Sequence, residues 1–499
     1  MKKIQIIGGG LAGPEAALQA ANLGCQVTLY EMRPTRSTEA HQTSDFAELV
    51  CSNSLKSESE NTAPWLLKQE MRRANSFLLH AADATAVPAG HALAVDRTLF
   101  SARVAELIEQ HPNITVVREE VTHLDENDPD TITILASGPL TSPALAAELQ
   151  RLTGADHLAF YDSISPIVDA TTIDMDKVYF AARWDKGTAD YINCPFTKEE
   201  YDLFLDALIT AEKVEPKPWE QIPAEPTTTP QLASIPNPRA PNPELTASLG
   251  GEGGFSPLST PSTEPGFSPG LSPLPPKPLQ YFEGCLPIEE TARRGRDTLR
   301  FGPMKPAGLT NPKTGRWPYA AVQLRQENLR ADSYNLVGFQ NHLKFAEQKK
   351  VLRLIPGLEN ATFLRYGQIH RNTYIHAPTL LTETLQLRAH PTILIAGQLS
   401  GVEGYTESIA SGLLAGRYAA ALARGDQPTP APRLSANGSL IHYITHAETK
   451  KFAPANITFD LLPPLEDDLR KKIRDKKERH RIQCERGLEA FNTWLDAGI

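Results

Sequence analysis

The N-terminal segment restricts the fold more than any other part of the chain. "KKIQIIGGGLAGPEAALQAANLGCQVTLYE", residues 2–31, reads as a short strand over Lys3–Ile7, a glycine turn, a helix over about Pro14–Leu23 and a second strand ending at Glu31. Gly8, Gly10 and Gly13 match the G-x-G-x-x-G spacing. Missing side chains at those positions let backbone amides and the helix N-terminus approach a pyrophosphate, and Gly9, Leu11 and Ala12 add amides to the same turn. Pro14 suits the first helical turn, where its absent N–H costs nothing. Glu31 closes the second strand, the position from which a carboxylate accepts the hydroxyls of an adenosine ribose. A lone glycine triplet is weak evidence, but strand, glycines, helix, strand and acid in this order describe a dinucleotide-binding unit.

The far end of the chain extends that reading. "HPTILIAGQLSGVEGYTESIASGLLAGRYAAALA" predicts a strand over Thr392–Ala396, a glycine-rich turn containing Gly397 and Gln398, and a long helix of small residues. Alone it is an ordinary strand–helix unit with packing glycines, or a helix N-terminus aimed at a second part of the same cofactor. Flavoproteins of the two-dinucleotide-fold type return to the flavin near their C-termini, so together the two motifs favour FAD. The expected fold class is α/β: a discontinuous, Rossmann-like FAD-binding domain with a smaller inserted α+β domain. Residues 1–170 and 325–435 are assigned to the FAD-binding domain, 171–324 to the insertion and 436–499 to a helical, basic C-terminal tail. The insertion carries a stretch, 216–278, that holds 17 of the 41 prolines and is rich in Ser, Thr and Gly. Such a composition buries too little apolar surface to fold, which predicts a disordered or polyproline-like loop.

Composition narrows the compartment and the partners. With 499 residues and 40% hydrophobic content, the chain can bury a large core and form more than one domain. Cys25, Cys51, Cys194, Cys285 and Cys484 are odd in number and widely scattered, against a disulfide framework and for a reducing compartment. The start "MKKIQIIGGGLAG" is too short and glycine-rich for a signal peptide, and no apolar run reaches membrane-spanning length, so the expected location is cytoplasmic. A net charge of −9 gives no general attraction to nucleic acid. Two local runs are basic, "RRGRDTLR" (Arg293–Arg300) and "RKKIRDKKERHRIQCER" (Arg470–Arg486), and each reads either as a phosphate-contacting patch or as a solvated helix face.

Two cysteines stand in polar surroundings: Cys51 in "CSNSLKS" and Cys285 in "FEGCLPIE". Each is either a small buried hydrophobe or a working thiol. These segments, with "GGGLAGPEAA", "LAVDR", "GPMKPAGL", "WPYAAVQLRQEN" and "GQLSGVEGYTESIASGLLAG", resemble the folate- and FAD-dependent tRNA uracil-5-methyltransferase family along nearly the whole chain. The proline-rich stretch departs from the family pattern.

The resemblance implies a bacterial enzyme that makes 5-methyluridine in the tRNA T-loop. Its carbon would come from 5,10-methylenetetrahydrofolate and its electrons from NAD(P)H through FAD. Uracil C5 is a poor nucleophile until a thiolate adds to C6, so a thiol is required. By resemblance Cys285 is that nucleophile and Cys51 the partner thiol in acid–base work, with no metal. The alternatives are a flavin-dependent thiol/disulfide oxidoreductase using the same cysteines, a tRNA wobble-uridine-modifying FAD protein, and a flavin-bearing RNA-binding protein without catalysis.

Overall fold

The structure is a computed structural model that describes residues 1–38, 40–154, 158–185, 188–214 and 286–498. The proline-rich stretch and Cys285 lie outside the described residues. The first core is built on a five-stranded parallel sheet. Its order is Ile393–Ile395, Thr131–Leu135, β1 (Lys3–Ile7), β2 (Val27–Tyr30) and Ile114–Val117. Ile4, Ile6, Val27, Leu29, Ile132 and Ile134 are buried, as a parallel sheet covered on its faces demands.

Between β1 and β2 the helix α1 (Ala12–Asn22) begins two residues before the Pro14 expected from the sequence. It packs against the helix Tyr405–Arg424, where side chains on Gly412 and Gly416 would overlap the backbone of Ala12 and Ala16. Two glycines four residues apart therefore set how closely the helices cross.

The order of the sheet fixes where a ligand can bind. From β1 the chain proceeds through β2 to Ile114–Val117 on one side, then returns to Thr131–Leu135 on the other. Such a switch point opens a crevice at the carboxyl ends of the strands.

A two-stranded antiparallel ribbon, Leu158–Ser163 with Ile369–Tyr374, leads out of this core and back into it. Beyond it lies a six-stranded antiparallel sheet in the order Tyr179–Phe180, Ile192–Phe196, Ala320–Gln326, Ser333–Leu336, Ile167–Asp169 and Phe363–Arg365. Helices Lys198–Thr210, Ile288–Arg293 and Phe345–Leu352 supply the rest of its core, with Phe196, Phe204, Leu208, Ile288, Leu324, Phe339 and Leu352 buried together. This sheet starts before residue 171 and ends after residue 324. The three-residue strands that extend it, Ile167–Asp169 and Phe363–Arg365, are too short to show a period in sequence.

Among the described residues from 436 onward there are three α-helices, Ala436–His446, Asp467–Lys472 and Lys476–Asp496. Phe491 and Trp494 of the last are buried in the first core. Among the described residues no helix is long and apolar enough to cross a membrane.

Candidate functional site

Four strand ends of the parallel sheet open into one cavity of about 350 Å³, lined by Gly8, Glu31, Ser137 and Gly397. Gly9, Gly10, Leu11, Ala12, Gln398 and Cys51 line it too. Gly13 does not, because its place is between helix and strand: a side chain there would overlap the Gly8 carbonyl. Around Gly10, by contrast, a Cβ would meet no atom within 4 Å, so its missing side chain leaves open space on the cavity side. Gly8 has a φ of +117°, outside the comfortable range of other residues.

Two helices begin at the cavity without side-chain caps: α1, preceded by Leu11, and Tyr405–Arg424, preceded by Gly404. Their first amides are oriented donors with a partial positive charge, suited to a diphosphate. Glu31 is buried, and its Oε2 accepts the Gly9 N–H at 2.8 Å while Oε1 accepts the N–H and Nε of Arg33, each at 2.9 Å. Burial opposes its ionisation, but the Arg33 hydrogen bonds and charge outweigh burial and hold the carboxyl below its usual range. Oε2 keeps acceptor capacity for a ribose hydroxyl. Open glycine cradle, uncapped helix starts and ionised acid all fit the FAD expected from the sequence.

Cys51 stands on the other side of the cavity, at the seam between the cores. Its N–H and that of Ser52 donate to the Tyr405 hydroxyl, at 2.7 and 3.2 Å. The next residues reach the antiparallel sheet: Arg325 Nη2 donates to Ser52 Oγ at 2.8 Å, and Asn53 Nδ2 donates to the carbonyls of Val95 and Gln326. Arg97 spans the same seam, pairing with Glu327 and donating to the Leu49 carbonyl.

Burial separates Cys51 from the other described cysteines. Cys25, Cys194 and Cys484 are buried, and burial pushes each thiol up, Cys484 to about 12. Cys51 is only partly buried, and Arg97 and Arg365 lie within electrostatic reach of it.

Several lining residues carried no signal in the sequence. Lys56 reaches Glu407 at 2.5 Å and Asn456 at 2.8 Å, pinning "CSNSLKS" to the start of the long helix. His41 is pushed down to about 4 by burial and by Arg33, and so stays neutral at pH 7. Gln340 lines the cavity, and its carbonyl accepts the Ile288 N–H at 2.8 Å, fixing the chain three residues after Cys285.

A discontinuous α/β dinucleotide-binding fold with an inserted antiparallel domain, and a glycine-lined cavity facing a thiol, define the class. Within it, the chain belongs to the glucose inhibited division protein A family, whose model matches residues 3–226 and 276–427. Relatives named methylenetetrahydrofolate--tRNA-(uracil-5-)-methyltransferase TrmFO include one from Koribacter versatilis, 61% identical over 99% of this chain and 98% of its own, and one from Enterococcus faecalis, 48% identical over 98% and 97%. Among solved structures, Aquifex aeolicus GidA in its form I crystal matches with a TM-score of 0.62 at 17% identity, covering 99% of this chain and 78% of that one. This structural match bears on the fold alone.

Proposed function

We propose that this protein is a methylenetetrahydrofolate-dependent tRNA (uracil-5-)-methyltransferase that forms 5-methyluridine in the T-loop, in the cytoplasm, with NAD(P)H as reductant. The observation that carries the reading is the meeting of the glycine turn, Glu31, the second glycine turn and the Cys51 thiol in a single cavity. Gly8 to Ala12 and Gly397 would hold FAD by their backbone amides, and Glu31 would hold its ribose. Bound FAD supplies the electrons that turn a folate-derived one-carbon unit into a methyl group.

The chain's own residues act on the uracil. A thiol adds to C6 and makes C5 nucleophilic, and a base then removes the C5 proton. Cys285 is assigned the addition. Ile288 is fixed at Gln340 beside the cavity, and three residues of chain reach at most about 10 Å. Cys51 is assigned the proton transfer. Its thiol lines the cavity wall with Arg97 and Arg365 close enough to interact with it, a position from which it would reach the reacting ring.

Mass analysis of an unmodified tRNA transcript incubated with the flavin-loaded protein, NADPH and methylene-labelled tetrahydrofolate tests the reading. One labelled methyl on a T-loop uridine is expected. A transcript of unchanged mass, from protein that still oxidises NADPH, would remove the methyl-transfer reading and leave a flavin oxidoreductase.

A further inference from the structure

The inserted domain carries an aromatic feature that the cavity does not use. Trp184 and Trp317 are 57% and 49% exposed, and their rings meet edge-on with centroids 5.1 Å apart and planes at 85°. Large indoles cost free energy in water, and an exposed pair needs a reason. The backbone supplies a second oddity. Trp184 has φ +60° and ψ +25°, a left-handed conformation that bulky residues rarely adopt. Its N–H donates to the Gly308 carbonyl at 2.7 Å, and a Cβ on Gly308 would come within 2.8 Å of the indole. The segment "GPMKPAGL" thus carries, one residue before its end, the glycine that seats Trp184, and "WPYAAVQLRQEN" begins with its partner. Strain held in place by surrounding structure to present a side chain to solvent points to use.

The pair is connected to the catalytic seam. Arg183 donates to the Ala307 carbonyl and to Gln323 Oε1, and Gln323 Nε2 donates to Asn193 Oδ1. Gln323 and Arg325 share one face of strand Ala320–Gln326, about 7 Å apart at strand geometry, and Arg325 holds Ser52 beside Cys51. Exposed Lys305, Lys313 and Arg316 lie in the two segments that carry Gly308 and Trp317; Asp185 adjoins Trp184, and Lys313 donates to the Asp176 carbonyl.

We propose that Trp184 and Trp317 form a stacking platform for an unpaired nucleobase of the RNA substrate, placed along the polar sheet face that leads to Cys51. This inference rests on the RNA-modifying reading above and deepens it. Rigid aromatic faces beside cations bind single-stranded RNA by stacking, with little demand on base identity. The T-shaped arrangement leaves one indole face open while the other ring buttresses it.

The test is tRNA binding by flavin-loaded wild type, Trp184→Ala, Trp184→Phe, Trp317→Ala and Trp317→Phe, with indole fluorescence as a second readout. Each alanine variant is expected to lose about tenfold in tRNA affinity, the Phe variants less, and tRNA should quench wild-type fluorescence. Because Trp184 packs on Gly308 and its loss can disturb the loop, Trp317→Ala decides if Trp184→Ala fails to fold or to retain flavin. Wild-type tRNA affinity in Trp317→Ala with no quenching in the parent would overturn the platform. So would a wild-type dimer lost in Trp317→Ala at unchanged tRNA affinity, which would make the patch an interface between copies. Methylation of the transcript by wild type is followed in the same preparations, so that a failed platform with intact methyl transfer is distinguished from a failed enzyme reading.

Discussion

Gly10 and Gly13 lie three residues apart and answer to different demands. A side chain at Gly13 would overlap Gly8 and force β1 away from α1, whereas one at Gly10 meets nothing within 4 Å. Gly13→Val is therefore expected to destabilise the apoprotein by about 1–3 kcal/mol, the range for overpacked cores. Gly10→Val should leave the apoprotein melting temperature unchanged and weaken FAD binding by about tenfold or more, roughly 1.4 kcal/mol. Melting curves of flavin-free protein and flavin titrations by absorbance check both, and full flavin occupancy in Gly10→Val would displace the cofactor from this turn. The cysteines divide in the same way. Cys285→Ala is expected to keep flavin and form no covalent complex with T-loop RNA carrying 5-fluorouridine. Cys51→Ala should still form one, because it is assigned proton transfer and not addition. A stable complex in Cys285→Ala, seen as a retarded band on a denaturing gel, would move the nucleophile to Cys51.

At the scale of elements, buried carboxylates cap helices across long sequence gaps. Glu70, on helix Ala63–Arg73, accepts the Ala436 N–H at 2.7 Å, the Asn437 N–H at 2.9 Å and Asn437 Nδ2 at 2.8 Å, at the start of helix Ala436–His446. Burial pushes this carboxyl up to about 7 despite those donors. A folded value above the unfolded one means that the folded state binds the proton more tightly. The stabilisation is full below the unfolded value of about 4.5 and is lost as pH rises through about 7. Gln, which has no such proton, should gain stability relative to wild type between about pH 5 and pH 8. Melting temperatures of wild type and Glu70→Gln across that window test it, and the opposite trend would mean that the three donors keep Glu70 ionised.

No local pattern announces such a cap, and this sets what the sequence could show. The β1–α1–β2 unit was readable because its glycines, period and acid fall within a single short span. Tyr405 and Cys51 are 354 positions apart, so their hydrogen bond depends on the whole fold. The strand Ile167–Asp169 has three residues, and only pairing with Ser333–Leu336 and Phe363–Arg365 defines it.

Across the whole molecule the two basic runs, alike in sequence, are used differently. In the Arg293–Arg300 run, Arg293 pairs with Glu290, Arg296 with Asp202 and Asp206, and Arg300 lies 4.0 Å over the Tyr319 ring while donating to its carbonyl. Those charges mainly hold the inserted domain together. In the C-terminal run, Arg481 is held by Glu478 and Glu485, and Arg486 by the Pro463 and Pro464 carbonyls. Lys471, Lys472 and Arg474 are exposed and, among the described residues, form no ion pair. Counterion release makes exposed cations such as these the source of salt-dependent RNA affinity, even on a chain of net charge −9. Reversing all three to Glu is expected to weaken tRNA binding and to flatten the plot of log affinity against log salt by up to about 3, near 1 for each phosphate that is no longer neutralised. Reversing Arg296 should instead lower the melting temperature with little change in that slope. Filter binding over a series of KCl concentrations separates the two, and an unchanged slope in the triple variant would make the C-terminal run a solvated helix face.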